Sequence, residues 1–168
     1  MDERTANLLG VIALAVAEGI EGVSRQVLNR TGESAAALVV IGYNRGPSND
    51  ELRKILGLSH SGTVRLIDRL VDDGLVERRQ GRDGREIALF VSKRGRNLRE
   101  KILKKRLAAI SPYVEPLSGA EKKALTKLLS KMLSAMEPSD LKRQSLCRLC
   151  DTRVCTECPI PAEFRRST

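Results

Sequence analysis

The sequence predicts a mainly α-helical fold with one small β-hairpin: a winged helix-turn-helix flanked by a helical dimerisation region. Two short helical patterns joined by a glycine-containing turn at residues 48–72 indicate the helix-turn-helix. Two strand-like runs with a basic loop between them follow at once and indicate the wing. Longer stretches of helical periodicity lie on both sides.

The first helix is predicted over residues 5–29, where apolar residues recur mostly every four positions. Leu9, Val11 and Leu14 widen this apolar stripe beyond what one small domain needs, so we expect a second copy of the chain to cover it. A second short helix is predicted over residues 33–43, before the Gly46-Pro47 breaker.

The helix-turn-helix begins with Ser48 and Glu51, whose spacing is typical of a capping box. Ser59 is predicted to cap the second helix, a recognition helix over residues 59–72. Its inward-facing residues are predicted to be Val64, Ile67, Leu70 and Val71. The runs "LVERR" and "EIALFV" around "QGRDGR" predict a hairpin with a basic tip.

Two more helices are predicted after the wing. The first runs from Ser92 toward Ile110 and is expected to end at Pro112 and Pro116. The second begins at a capping box of Ser118 and Glu121 and stops by Pro138. Beyond Pro138 the helical periodicity fades, and the cysteine segment follows as an appendage.

Charge indicates the kind of partner. The 168 residues include 30 Lys and Arg against 21 Asp and Glu, a net charge of +9 that favours nucleic acid before an acidic membrane. The apolar run from Leu8 to Ala17 is too short to span a bilayer, so we expect no membrane anchor and a cytoplasmic protein.

The recognition helix and the wing tip carry the candidate contacts to double-stranded DNA. Arg65 could pair with a guanine edge or a phosphate, and Arg82 and Arg85 could enter a minor groove, although a solvated turn would also explain them. Gly62 indicates either a close approach of the backbone to DNA or a tolerated cost of about 1 kcal/mol. The predicted set is Ser59, His60, Ser61, Gly62, Thr63, Arg65, Arg69, Arg82 and Arg85.

Catalysis has little support in the sequence. There is one histidine, no plausible nucleophile-base pair and no phosphate-binding glycine loop, so we predict that the chain is not an enzyme.

The segment "CRLCDTRVCTECP" holds every cysteine of the chain. Cys147, Cys150, Cys155 and Cys158 have the spacing C-x2-C-x4-C-x2-C, which favours a four-cysteine zinc site, with Asp151-Thr152 supplying the reversal. An iron-sulfur cluster and a metal-free thiol switch or disulfide remain open, as does a structural or a sensory role.

The sequence resembles the MarR family of bacterial transcription regulators over about residues 5–136. The resemblance rests on "LGLSHSGTVRLIDRLVDDGLVERR", "RDGREIALFVSKRGRNL" and "LSGAEKKALTKLLSKML", in which Asp83 and Arg85 match the Asp-x-Arg element of the wing. It implies a homodimer that binds a near-palindromic operator and represses transcription until a small molecule, metal or oxidant relieves it. The cysteine tail lies beyond the usual end of the family.

The resulting domain prediction has four parts: a dimerisation helix at 1–30, the winged helix-turn-helix at 31–92, dimerisation helices at 93–137 and a cysteine-rich tail at 138–168. The predicted function is a sequence-specific repressor whose tail binds metal or senses redox state. The alternatives are a cysteine-dependent redox protein and a protein-interaction adaptor, each using the winged-helix fold for docking.

Overall fold

A computed structural model of the chain describes residues 2–30, 32–44, 46–81 and 87–160. Seven helices and two strands occur in these ranges, in an order that confirms the predicted fold class. They are α1 (Glu3–Leu28), α2 (Gly32–Tyr43), α3 (Asn49–Leu56), α4 (His60–Asp72), β1 (Val76–Gln80), β2 (Ile87–Val91), α5 (Lys93–Val114), α6 (Gly119–Ser134) and α7 (Asp140–Leu146).

The helix-turn-helix consists of α3 and α4. The predicted capping box begins α3: the Glu51 N–H donates to Ser48 Oγ, and the Ser48 N–H donates to the Glu51 carboxylate at 2.8 Å. Gly57 ends α3 in the left-handed conformation at φ +67°, which glycine adopts without a steric penalty. Ser59 then caps α4, as predicted.

The wing is an antiparallel hairpin in which Val76 lies opposite Val91 and Gln80 opposite Ile87. The predicted tip residues Arg82, Asp83 and Arg85 lie outside the described residues.

The hydrophobic core surrounds α2. Residues 34–41 of this helix are all buried, because α1, α3, α5 and β2 all pack against it. Leu38, Ile67, Leu89 and Leu103 are fully enclosed in the same cluster. Burying such a side chain contributes about 1.5–3 kcal/mol, so this cluster supplies the rigid base on which α3 and α4 stand.

Two predictions about the elements were wrong, and one helix was not predicted. Pro112 does not end α5 but lies in its final turns, where a missing N–H removes one hydrogen bond without breaking the helix. The tail contains the short helix α7, capped by Ser139, which is too short to show periodicity. In α4 the buried set is Thr63, Leu66, Ile67 and Leu70, while Val64 and Val71 are only half-buried.

Two helices present apolar side chains to the outside. The first half of α1 exposes Leu8, Leu9, Val11, Ile12 and Leu14. No described residue of α6 is buried, and this helix exposes Leu128, Leu129 and Met132. These surfaces lie away from the core around α2, so nothing in the described part of one chain covers them.

The helix α1 is longer than the apolar run on which the expectation of no membrane anchor was based. Its 26 residues suffice to cross a bilayer by length and composition, a test that core helices of soluble proteins and signal sequences also pass. The expectation considered only the ten residues of the continuous apolar run, whereas the helix extends in both directions from it.

Candidate nucleic-acid interface and cysteine segment

The exposed face of α4 carries a stripe of polar and basic side chains. Ser61, Arg65 and Arg69 are four residues apart, so they lie above one another on one side of the helix. Arg69 Nε donates to the backbone carbonyl of Arg65 at 3.0 Å, which directs its side chain along the helix. An open groove on this face is lined by Gly62, Arg65, Asp68 and Arg69. The helix therefore presents two guanidinium groups to the outside.

The first turn of α4 explains Gly62 without DNA. Ser59 Oγ accepts the Gly62 N–H at 3.1 Å, and a Cβ on residue 62 would lie 2.9 Å from that oxygen. The glycine leaves room for the cap, a reason that differs from both a close DNA approach and a tolerated cost. Ser59 and His60 are exposed beside it, as the prediction requires.

Thr63 must be removed from the predicted DNA-binding set. Its side chain is 1% exposed, and its hydroxyl donates to the Ser59 carbonyl at 2.9 Å. A residue two positions after Ser61 on a helix points about 200° away from it, and here that direction is the core.

Ion pairs that were not predicted hold α4 against its neighbours. Arg78 on β1 binds the carboxylate of Asp68 on α4, and Arg30 binds Asp73 at 2.9 Å. Exposed pairs of this kind contribute only about 0–1 kcal/mol each. They matter for position rather than for stability, because the Arg78 pair holds the wing beside the recognition helix.

The cysteine segment, residues 147–158, begins where α7 ends. The Cys150 N–H donates to the Cys147 carbonyl at 2.8 Å, and the Cys155 N–H donates to the Asp151 carbonyl at 2.9 Å. Asp151 is buried and also accepts from the Arg153 guanidinium at 3.0 Å, which lowers the pKa of its carboxyl. The chain thus reverses at Asp151, as the spacing predicted.

The four thiols line one cavity of about 200 Å³, which they share with Val40, Tyr43 and Ile55. Cys147 lies near Cys158, and Cys150 lies near Cys155. No three His, Cys, Asp or Glu side chains within the described ranges are grouped closely enough to hold a metal ion as they stand. The predicted four-cysteine centre is therefore not closed in this arrangement.

Burial and mutual repulsion raise the thiol pKa values. Burial raises the pKa of Cys150 to about 11, the neighbouring Cys155 adds to this shift, and Arg106 opposes it. Burial likewise raises the pKa of Cys147, with Cys158 adding and Arg143 opposing. Both thiols are consequently protonated at neutral pH unless a cation offsets the thiolate charge.

Tyr43, at the end of α2, holds this segment to the winged helix. Its hydroxyl donates to the Cys150 carbonyl at 2.7 Å and accepts from the Thr152 N–H at 3.1 Å. The Arg99 guanidinium lies 4.0 Å above the tyrosine ring. Sequence reasoning missed Tyr43, because no local pattern distinguishes it from a helix-end tyrosine that packs against the core.

One known family model matches the part of the chain that contains the helix-turn-helix. Residues 28–86 match the model described as the MarR family. These residues are similar to a MarR-family domain. The matched residues include α2, the helix-turn-helix and β1, and they end before α5 and the cysteine segment.

Solved structures are similar to this chain over a longer stretch. RV1404 from Mycobacterium tuberculosis is 25% identical, with a TM-score of 0.70, over 82% of this chain and 96% of its own. The MarR family protein RV2887 from Mycobacterium tuberculosis, in complex with p-aminosalicylic acid, is 19% identical, with a TM-score of 0.60, over 76% of this chain and 96% of its own.

A MepR mutant from S. aureus bound to an oligodeoxyribonucleotide is 20% identical, with a TM-score of 0.60, over 79% of this chain and 98% of its own. The search of curated proteins found no match.

Proposed function

We propose that this MarR-family chain is a DNA-binding transcription regulator that represses its target as a homodimer on a near-palindromic operator in the cytoplasm. The exposed stripe of Ser61, Arg65 and Arg69 on α4 carries the proposal. A helix with exposed guanidinium groups fits the major groove, where arginine pairs with guanine or with phosphate. The solved MepR complex with an oligodeoxyribonucleotide is a structurally similar chain that binds DNA.

Exposed apolar surface supports the homodimer. Five apolar side chains of α1 and three of α6 are open to solvent in a single chain, and a second copy is the partner that a symmetric assembly supplies. Tyr113 joins α5, the helix before α6, to α1, since its hydroxyl donates to the Ala15 carbonyl at 3.2 Å. A dimer would place two recognition helices on one duplex, which explains the palindromic operator.

Regulation by a small molecule follows from the comparison alone. RV2887 binds p-aminosalicylic acid, and we propose that a small-molecule inducer also relieves repression here. Regulators of this family are generally not enzymes, and we propose the same for this chain.

The test begins with duplexes selected by the purified protein from a random library. In fluorescence anisotropy, Arg65→Ala is expected to raise Kd by about 5- to 150-fold, the equivalent of roughly 1–3 kcal/mol, if Arg65 reads a base. If Arg65 binds only phosphate, the slope of log K against log salt should fall by about 1.

Arg25→Ala is the matched control, because it removes the same charge from an exposed arginine of α1 that pairs with Glu21. We expect it to change Kd by less than about twofold. Equal losses in the two variants, or a library in which no duplex is enriched, would contradict the proposal.

A further inference from the structure

Four thiols line the cavity beside Tyr43 although they come from two separate turns. Cys147 and Cys150 lie at the end of α7, and Cys155 and Cys158 lie after the reversal at Asp151. Four cysteine sulfurs are the ligand set of closed tetrahedral Zn²⁺ sites. Four thiols can equally form two disulfides, so a second observation must choose between the two outcomes.

The surrounding arginines favour the metal over two disulfides. Arg143 and Arg148 line the same cavity as the four thiols, and Arg99 lies 4.0 Å above the ring of Tyr43, which also lines it. The Nε atoms of Arg99, Arg106 and Arg143 are buried and make no hydrogen bond among the described residues, and Arg143 has only a long ion pair with Asp140 at 3.6 Å. A zinc centre with four thiolates has a charge of −2, which guanidinium groups beside it offset, whereas two disulfides are neutral and would bring no negative charge to these arginines.

We propose that the cysteine segment binds one thiophilic divalent cation, Zn²⁺, and that this binding stiffens the helix-turn-helix through Tyr43. In the binding step each thiol loses a proton to solvent and forms one metal–sulfur bond. One Zn²⁺ and four thiols thus give one dianionic centre and four protons, with no change of oxidation state.

Binding of Zn²⁺ requires the four thiols to move closer together. This movement links the metal to the DNA-binding domain. The segment between the pairs carries the Cys150 carbonyl and the Thr152 N–H, and both are hydrogen-bonded to the Tyr43 hydroxyl. On the other side, α7 packs against α3, whose Ile55 lines the same cavity. An ion that fixes the segment therefore restrains α2 and α3 together.

The metal is tested with Co²⁺, which reports thiolate ligands by absorption. The full chain, purified and reduced without oxygen, is expected to bind one Co²⁺ with intense sulfur-to-metal and tetrahedral d–d bands, and Zn²⁺ should displace it. Cys155→Ser should weaken or abolish these bands. Glu157→Gln, which changes an acidic residue of the same segment that the proposal does not use, should leave them unchanged.

Three results would overturn the metal proposal. One is a reduced wild-type protein without Co²⁺ bands. Another is iron-sulfur absorption in the protein as isolated. The third is a mass four hydrogens below that of the reduced chain after purification without oxygen, which would indicate two disulfides.

The coupling is tested by hydrogen exchange of the α3 amides. Zn²⁺ is expected to slow this exchange in the wild type and in Tyr113→Phe, the control in the other tyrosine of the chain. Tyr43→Phe removes only the hydroxyl, so Co²⁺ should still bind while the slowing is lost or greatly reduced.

Equal slowing in Tyr43→Phe and Tyr113→Phe would overturn the coupling. Neither readout involves DNA, so a failure here is distinguishable from a failure of the proposed function.

Discussion

Gly95 lies in the first turn of α5, directly against the backbone of Leu75 at the base of the wing. A Cβ at this position would overlap the Leu75 carbonyl oxygen, which also accepts the Ser92 N–H at 3.0 Å. The Gly95 N–H in turn donates to Ser92 Oγ at 2.9 Å. Because Gly95 has no side chain, the first turn of α5 can lie directly against the Leu75 carbonyl while that carbonyl accepts the Ser92 N–H.

We expect Gly95→Ala to lower the free energy of unfolding by roughly 1–3 kcal/mol, since the backbone must move to accommodate the methyl group. Urea denaturation followed by circular dichroism measures this change. Gly22→Ala is the control, because a Cβ there meets nothing within 4 Å, and helix propensity should leave stability equal or up to about 1 kcal/mol higher. Equal effects of the two substitutions would show that the contact with Leu75 is unimportant.

The polar residues of the recognition helix show the limit of prediction from residue type. Serine and threonine two positions apart were both expected to face DNA, yet Thr63 is buried and only Ser61 is exposed. The sequence shows the period of the helix. It does not show which face is turned toward the core when apolar residues border the polar stripe on both sides. Here the packing of Leu66 and Leu70 against the core selects the rotation.

At the scale of elements, caps were the most reliable signals. Both predicted capping boxes are present, at α3 and at α6. They are local, since each links residues three positions apart, and they therefore need no tertiary contact to form. The short helix α7 and the continuation of α5 through Pro112 were missed, because short or interrupted helices depend more on their surroundings than on periodicity.

The cap of α6 leads to a prediction about pH. The Ser118 hydroxyl donates to the Glu121 carboxylate at 2.7 Å and holds the pKa of Glu121 below its ordinary value. Because the folded pKa is the lower one, the cap stabilises α6 above about pH 4.3 and is lost as the pH falls through the folded value. In Ser118→Ala the pKa of Glu121 should rise toward about 4.3, as measured by carbon NMR of the carboxyl group.

Ser134→Ala changes a serine at the opposite end of the same helix, whose hydroxyl donates to the Lys131 carbonyl. It should leave the pKa of Glu121 unchanged. If both substitutions shifted that pKa alike, the capping box would not be its cause.

At the scale of the whole molecule, the exposed apolar faces of α1 and α6 lead to a prediction about assembly. Leu14→Lys places a charge on an apolar side chain that is 70% exposed in the single chain. Because such a charge would be buried in a dimer, we expect this variant to sediment as a monomer at micromolar concentrations where the wild type is a dimer. It should also bind the selected duplex more weakly, since only one half-site is occupied at a time.

Val154→Lys is the matched control, with an apolar side chain that is 66% exposed on the cysteine segment. It should sediment like the wild type. A monomeric wild type would contradict the dimer, and a wild type that pellets with membranes would indicate that α1 enters the bilayer instead.

The sequence by itself determined the elements that depend on neighbours along the chain. Helix periodicity, capping boxes and the wing's strand pattern involve residues a few positions apart, so their physical causes are visible in any short window. The same holds for the four-cysteine spacing and for the basic residues of the recognition helix.

Only the tertiary structure decided which surfaces meet. The hydrogen bond from Tyr43 to the Cys150 carbonyl joins residues 107 positions apart, and no local pattern announces it. The burial of Thr63, the arginines around the thiols and the exposed faces of α1 and α6 likewise result from packing around α2. Side chains distant in sequence become neighbours only when the core forms, so these features required the folded molecule.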